Sequence, residues 1–571
     1  MEIPEIESSQ LILDDARRLT GPSMIWSKPG AILDVLIAEM DMEVVLECWY
    51  RQLRHLVSQI GWQDREPTHR RFENGFNLLI EAPIDQLYSA VLVLETNWYF
   101  CCCELLAIDV EDEEALVQEI RNSIKTESNP ALLGLQQAAA NHEVDFLVDD
   151  DEVSIGHGDG SLCWPVDEIP ALDQIPWSEV HDVPVALITG TNGKSTSVRL
   201  LDGIARASAQ ISGVTSTDFV RVGDDVLDHG DYSGPGGARL LLRDKRLQVA
   251  FLEVARGGIL RRGLPLRRAR AALVTNIASD HLGQYGVNTL EALTEVKFAV
   301  RKTLAEDGVL VVNADDENCL DYMGNIEQAN PCWFSLDKNH PKIKLQIEKQ
   351  GSCAYTDAGN IVYFDGSNAH NICEIGQIPM TINGAALHNV RNALGAVGVA
   401  CALGYSVDQI KQGLTKFHSD EHDNPGRLNT FKLKNGAVII VDFAHNAHSV
   451  EAVANTVQRM PAQNKWVMFG SAGDRSDDDI ISIARGVCAI NPDHVVIVEI
   501  ERYLRGREPG EVSEIIKKTC LDAGMAQSQL HFASSPLQGV QLAIAELQAN
   551  DLGLFLVLSE RDEIIQYIGE Q

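Results

Sequence analysis

The sequence predicts an α/β protein: a P-loop central domain and a Rossmann-like C-terminal domain, preceded by a small α+β N-terminal domain. Three observations carry this. An apolar strand runs into a glycine turn and a Lys-Ser-Thr helix start in VALITGTNGKST, residues 185–196. From 185 to about 425, apolar runs alternate with helical patterns, the mark of a parallel sheet with crossover helices. A second alternating unit begins after NPGRLN (424–429) and closes with LFLVLS. At about 150 residues per domain, 571 residues imply three or four domains.

The formal net charge of −35 argues against a general nucleic-acid binder and against binding to an anionic membrane. Basic residues should then concentrate where anionic substrates bind, and RGGILRRGLPLRRAR (256–270) is the dense cluster. A solvated basic loop would give the same run. Twelve cysteines, three of them adjacent at Cys101–Cys103 and none in a CxxC pair, suit reduced, buried thiols. The N-terminus lacks a signal-peptide apolar region, and no apolar run reaches membrane-spanning length. The expectation is a cytoplasmic protein.

Residues 1–145 read as the N-terminal α+β domain. AILDVLIAEM alternates as a strand, while EVVLECWYRQLRHLVSQI and IDVEDEEALVQEIRNSI have helical spacing. SAVLVLETNWYFCCCELL is apolar-rich, and periodicity leaves helix and strand open. His142 and the acids near it read as surface groups. Residues 146–184 hold DDEV, GHGDGS and four prolines in twenty residues, which predicts an acidic, extended linker along the surface.

The central domain is predicted over 185–425. Its first strand would bury Val185, Leu187 and Ile188, and the next helix would align Val198, Leu201, Ile204 and Ala205 on one side. Gly190 and Gly193 allow a tight turn whose N–H groups face a phosphate at the helix N-terminus. Lys194 would meet the outer phosphates and Ser195 would offer an oxygen to Mg²⁺. The spacing GTNGK[ST] is shorter than the usual GxxxxGK[ST]. VAFLE ends in Glu253, at the strand end where ligands bind in such sheets and across from Ser195. TNIASDHLGQYG places Asn276, Asp280 and His281 past another strand end. GAALHNVRNALGAVGVAC reads as a helix whose first turn offers His388, Asn389 and Asn392, groups that capping alone would also use. The C-terminal domain, 426–571, has Rossmann-like alternation, but no GxGxxG follows its first strand.

GTNGKST, the strand-end Glu253, NIASDHL, HNVRNAL, NPGR and DFAHN stand in the order of the ATP-dependent Mur ligases, and the chain resembles that superfamily over 185–571. GDYSGPGGARLLLRD, LEVARGGILRRGL and RGREPGE resemble the C-terminal ligase half of the cyanophycin synthetases, and RRLTGPSMIWSKPGAILDV resembles their N-terminal domain. The resemblance implies an amide ligase using ATP and Mg²⁺. In it a carboxylate takes the γ-phosphoryl group to form an acyl phosphate, which an amine then attacks.

The resemblance also implies roles for individual residues. Gly190, Thr191, Asn192, Gly193, Lys194, Ser195 and Thr196 would hold phosphates. Ser195 and Glu253 would hold the first Mg²⁺ and His281 the second, joined by Lys297 if carbamylated; a plain surface lysine is the alternative for Lys297. Asn389 and Asn392 would contact adenine, Arg427 a phosphate or the hinge, and Asp442 the ribose, with His445 beside it. Arg256, Arg261, Asp474 and Arg475 would hold the small-molecule carboxylate or peptide and the amino acid. Phe443 and Ala447 depart from the Tyr and Pro common in the family. The larger departure is the ATP-grasp domain of cyanophycin synthetases, whose place here is taken by the predicted linker. Three readings follow: a self-sufficient ligase, a subunit that needs a separate ATP-grasp partner protein, or a nucleotide-binding regulator. A homo-oligomer is compatible with each.

Overall fold

The computed structural model describes residues 3–4, 6–280, 282–326 and 331–571. The chain divides into two compact units: Met1–Val198 with Ala209–Cys332 and Val399–Gly404, and Arg199–Ser208 with Trp333–Gly398 and Tyr405–Gln571.

The first unit opens with an antiparallel sheet of order β1-β2-β4-β3, formed by β1 (Leu11–Leu19), β2 (Gly30–Ile37), β3 (Pro67–Phe72) and β4 (Gly75–Glu81). Helices α1 (Met42–Ile60) and α2 (Leu87–Leu106) share a core with it through Trp49, Leu53, Leu56, Val93 and Leu94. α2 is the segment whose periodicity is ambiguous. Thirteen of its residues are buried, Cys101–Cys103 among them, so apolar groups fall on nearly every side and the helical stripe disappears. α3 (Glu113–Glu127) starts on Asp112, which accepts from Ala115 N–H, and α4 (Pro130–Asn141) starts on Asn129.

Residues 146–184 differ from the extended linker expected. β5 (Phe146–Val148), β6 (Glu152–Ile155) and β7 (Leu162–Pro165) form an antiparallel sheet. Val153, Ile155, Ile175 and Val180 join the N-terminal core. The reason is spacing: single apolar residues between acids and prolines still bury one face when a larger core lies beneath them. No disulfide joins the described cysteines, and most of them are buried, as the sequence suggests.

The central sheet of this unit runs β11-β10-β9-β12-β8-β13-β14. Its strands are β8 (Val185–Thr189), β9 (Ser212–Thr215), β10 (Phe219–Val222), β11 (Asp225–His229), β12 (Val249–Glu253), β13 (Ala269–Val274) and β14 (Leu304–Asn313). β8 lies between β12 and β13, parallel to both. The helices α5 (Lys194–Ala207), α6 (Pro235–Leu242), α7 (Arg256–Arg262), α8 (Leu290–Phe298) and α9 (Glu317–Gly324) follow or join these strands. Val185, Leu187, Ile188, Val198, Leu201, Ile204 and Ala205 are all buried, so the strand–loop–helix pattern folds as the periodicity requires.

The second unit contains the mixed sheet β15-β16-β17-β18, where β15 is Cys332–Ser335, β16 Cys353–Asp357, β17 Asn360–Phe364 and β18 Ala369–Glu374. Helix α10 (Pro341–Glu348) connects the first two strands; α11 (Leu387–Ala402) and α12 (Val407–Lys416) follow. The C-terminal sheet begins with β19 (Asn429–Lys432), antiparallel to β20 (Val438–Asp442). The parallel strands β21 (Lys465–Phe469), β22 (His494–Val498), β23 (Leu530–Ala533) and β24 (Leu552–Leu556) complete the order β19-β20-β24-β21-β22-β23. Its two faces carry separate apolar cores, one around Val450, Phe469 and Ile480 and one around Trp466, Val540 and Ile564. That is the three-layer, doubly wound arrangement expected of the region.

Candidate active site

The loop after β8 sits among the carboxyl ends of three neighbouring strands. Glu253 is in register with Ile188 on one side, and Val274 with Thr189 on the other. Gly190 adopts φ +141°, and a Cβ there would lie 1.9 Å from Thr275 Oγ1. Gly193 has φ +86°. The loop is held from the β13 side: Thr191 N–H donates to Asn276 O (2.9 Å) and Asn192 N–H to Asn276 Oδ1 (3.0 Å). Thr275 Oγ1 donates to Asn192 O (2.6 Å) and Asn276 Nδ2 to the same oxygen (2.9 Å). Asp316 accepts from Ile277 N–H (2.8 Å) and so fixes the chain that carries Asn276. Thr275 and Asp316 are the bracing residues that motif reading does not single out; their place just past the ends of β13 and β14 is the signal that would find them.

α5 begins at Lys194, and the N–H groups of its first turn have no acceptor within the helix. Lys194 Nζ donates to Thr191 O at 2.9 Å, folded over the loop. Ser195 and Thr196 are buried at the helix start, and Ser195 Oγ lies 3.5 Å from Thr217 Oγ1. Glu253 is 2% exposed. A buried carboxylate at the strand end next to the loop, together with a hydroxyl at the start of α5, is a hard-oxygen donor set that suits Mg²⁺. The residues present therefore fit the metal and a polyphosphate.

Lys297, on α8, is not a surface lysine. It is 5% exposed, and its Nζ donates to Gly190 O at 2.8 Å. Burial lowers the pKa of its amine well below the ordinary lysine value, and the neighbouring Lys194 charge adds to this. His281 lies outside the described residues. Arg256 reaches Gln284 Oε1 (2.6 Å), and Arg261 is exposed at the end of α7.

A His–carboxylate cluster also occurs in this unit. His157 is buried between Asp145 (3.5 Å from Nε2) and Asp182 (3.7 Å from Nδ1). Each carboxylate faces a different ring nitrogen.

In the second unit, Asn389 and Asn392 are buried on the first turns of α11. Asn389 Nδ2 donates to Met380 O (2.8 Å) and Asn392 Nδ2 to Asn389 Oδ1 (3.2 Å). Asp442 ends β20; its carboxylate accepts from Leu428 N–H (2.8 Å) and Ala444 N–H (2.7 Å). Burial raises its pKa, against the opposing charge of Arg427. The Arg427 guanidinium stacks 4.5 Å from the Phe443 ring, so the aromatic face survives the Tyr-to-Phe departure. His445 Nδ1 lies 3.0 Å from Phe443 O. Asp474 pairs with Arg505 (2.5 Å), and Arg475 O accepts from Arg507 Nη2 (2.9 Å).

His388, beside Asn389, has an unpartnered buried Nδ1. Burial pushes its imidazole down to about 4, helped by Arg391 and His448. A histidine lowered in the folded state contributes stability above the unfolded value near 6.5 and loses it as pH falls toward 4. Urea unfolding at pH 7.5 and 4.5 should therefore show an acid loss about 2 kcal/mol smaller in His388→Gln than in the parent. Equal losses in the two proteins would contradict this.

Comparison with known proteins bears on the fold and the family. Residues 188–400 match the Mur ligase middle domain, and residues 426–556 match the Mur ligase, glutamate ligase domain. The cyanophycin synthetase of Nostoc sp. (strain PCC 7120 / SAG 25.82 / UTEX 2576) is 36% identical over 336 residues, 59% of this chain and 37% of that protein. The chain thus spans well under half of that curated relative. The UDP-N-acetylmuramoyl-L-alanyl-D-glutamate--2,6-diaminopimelate ligase of Bacillus velezensis is 22% identical over 395 residues, 67% of this chain and 74% of that enzyme. The structure of E. coli FolC in complex with DHPP and ADP shares the fold, with a TM-score of 0.51 and 18% identity over 68% of this chain and 89% of FolC. No helix among the described residues is long and apolar enough to cross a membrane.

Proposed function

Since the chain belongs to the Mur ligase family, we propose that it is an ATP-dependent carboxylate–amine ligase that activates a carboxylate of a small acid or aspartyl peptide and joins it to an amino acid amine. The observation that carries this reading is the braced P-loop with Glu253 at the adjoining strand end. Lys194 and the first-turn N–H groups of α5 stabilise charge on the transferring phosphoryl group. The carboxylate oxygen forms a bond to the γ-phosphorus as the bond to the ADP oxygen breaks. The amine then attacks the acyl carbon, and inorganic phosphate leaves. Ser195 and Glu253 would hold Mg²⁺, which supplies charge neutralisation of the phosphates when bound. Lys297, buried and poor at holding a proton, has the amine form that adds CO₂, consistent with carbamylation to an anionic metal ligand. Asn389, Asn392, Asp442 and His445 are assigned to the nucleoside, Arg427 to a phosphate or the hinge, and Asp474 and Arg475 to substrate.

The test is ADP release with Mg-ATP while amino acids are crossed with aspartyl peptides and simple dicarboxylates, with product masses collected. The ligase reading requires turnover that needs both an acid and an amine, with the mass of one new amide. Acid- and amine-independent hydrolysis, or none in any pairing, counts against it. The partial span of cyanophycin synthetases favours one second reading, a subunit working with a separate ATP-grasp protein. That reading predicts turnover only when such a partner, or the peptide it makes, is added.

A further inference from the structure

Asp145 and Asp182 stand at the two ends of the segment that precedes the P-loop strand, and His157 lies between them. The segment closes on itself there. Asp145 N–H donates to both oxygens of Asp182 (3.2 and 3.0 Å), Gly156 N–H to Asp145 O (3.0 Å), and His157 N–H to His181 O (3.0 Å). The joint is also tied to the central sheet. Arg267 N–H, two residues before β13, donates to Asp145 Oδ1 (3.2 Å), and Asp159 N–H donates to Leu247 O (3.1 Å), two residues before β12. A Cβ on Gly158 would lie 2.3 Å from Leu247 O, so the loop carrying His157 is pressed against that strand entrance. These are the amino ends of the strands. The phosphate loop and Glu253 are at the carboxyl ends, about 16 Å away along the five residues of β8.

Three atoms of this joint, Asp145 Oδ2, His157 Nδ1 and His157 Nε2, are buried and make no hydrogen bond among the described residues. The His157 side chain is 1% exposed and that of Asp145 4%, whereas Asp182 reaches 16%. Leaving such atoms unpaired is costly, most of all for a carboxylate, and buried charges in proteins are paired or coordinate metals. Asp145 Oδ2 lies 3.5 Å from Nε2 and Asp182 Oδ1 3.7 Å from Nδ1, close to the spacing of two ligands on one ion. One ring nitrogen and one oxygen of each carboxylate lie within 4.8 Å of one another. Burial raises the pKa of the Asp145 carboxyl against the pull of His157, and the Asp182 carboxylate adds to the rise. With both carboxylates ionised and the imidazole neutral, the cluster offers two negative charges and a nitrogen lone pair, a set that a divalent cation neutralises.

We propose that Asp145, His157 and Asp182 form a structural site for a divalent transition-metal ion of the Zn²⁺ class. One oxygen from each carboxylate and one ring nitrogen bind the ion, and water takes a fourth position on the side where Asp182 meets solvent. The imidazole nitrogen selects against Mg²⁺ and Ca²⁺, which take oxygen ligands. Metal–ligand bonds of about 2.0–2.2 Å put the corners of one tetrahedron about 3.4 Å apart. The widest of the three spacings therefore closes by no more than about 1.4 Å, within reach of a turn of the Asp182 carboxylate. The other ring nitrogen keeps its hydrogen for a remaining carboxylate oxygen, which orients the ring. The ion fastens the strand entrances of the central sheet to the end of the N-terminal core. It takes no part in phosphoryl transfer, and the inference stands apart from the ligase reading.

The test uses the full chain, stripped with a chelator and re-equilibrated in excess Mg²⁺, with Zn²⁺ alone as the probe and Co²⁺ as its spectroscopic substitute. The parent should take up one Zn²⁺ per chain, gain about 5 °C in thermal midpoint, and show a visible d–d band with Co²⁺. Asp182→Asn, of the same shape and at the least buried of the three positions, should weaken Zn²⁺ binding at least tenfold. His157→Gln should abolish the Co²⁺ band. Glu253→Gln and His531→Gln should leave uptake, midpoint gain and band unchanged. They report on the carboxylate assigned to Mg²⁺ and on the His494–His531 pair, whose facing ring nitrogens lie 3.1 Å apart. No uptake by the parent, the result that a proton or a water in the cluster would give, overturns the proposal however the variants fold. Parent-like affinity in Asp182→Asn, or loss of the ion in Glu253→Gln or His531→Gln, overturns it as well.

Discussion

Lys194→Ala should reduce acid- and amine-dependent ADP release by about 10³-fold, the scale expected when a group that stabilises transition-state charge is removed. The fold should be unaffected. Among the described residues the Lys194 side chain donates to Thr191 O, at a part-buried position, so its loss leaves no buried partner stranded. The thermal midpoint of the variant should match the parent within a degree or two, while the phosphoryl-transfer step collapses. A variant that keeps a tenth of the parent rate would show that Lys194 does not meet the transferring phosphoryl group.

Gly190→Ala should act on stability instead. The position combines φ +141° with a Cβ contact of 1.9 Å to Thr275 Oγ1, and Thr275 is itself tied to Thr189 O and Asn192 O. Neither side can yield without breaking the bonds that shape the loop. Backbone strain and overpacking together predict a loss of about 3–4 kcal/mol in urea unfolding. Gly376→Ala is the control: it has an ordinary φ and nothing within 4 Å of the added carbon, so it should change stability little. A Gly190→Ala protein as stable as that control would mean the loop relaxes freely and is not preorganised for phosphate.

These two residues lie in the part of the molecule the sequence describes best. The strand over 185–189 and the helix from 194 announce themselves through short, strong apolar patterns on each side of a glycine turn, and the structure keeps both. α2 is harder because a helix buried on nearly all sides has no stripe to read. The region 146–184 misleads for the opposite reason: its acids and prolines dominate the composition, while scattered apolar residues such as Val153, Ile155, Ile175 and Val180 do the packing. In the site, Lys194, Ser195 and Glu253 are legible because strand ends and helix starts are local features. Thr275, the group that makes Gly190 obligatory, is 85 residues away, and no local pattern links the two. The contact between β1 and α7 is less legible still, since Arg17 and Leu260 meet across 243 residues and their pairing exists only in three dimensions. Lys297 stands between these cases: its sequence context fits a surface helix, and only its burial against Gly190 O shows otherwise.

The central claim is that a carboxylate is activated by phosphoryl transfer, and oxygen tracing tests it most directly. An acid substrate labelled with ¹⁸O in its carboxylate is turned over with Mg-ATP and amine, and the released phosphate is weighed. The account predicts ADP as the nucleotide product and one ¹⁸O in each phosphate formed, because the acyl oxygen leaves with phosphorus. Unlabelled phosphate, or AMP with pyrophosphate in place of ADP, would contradict it.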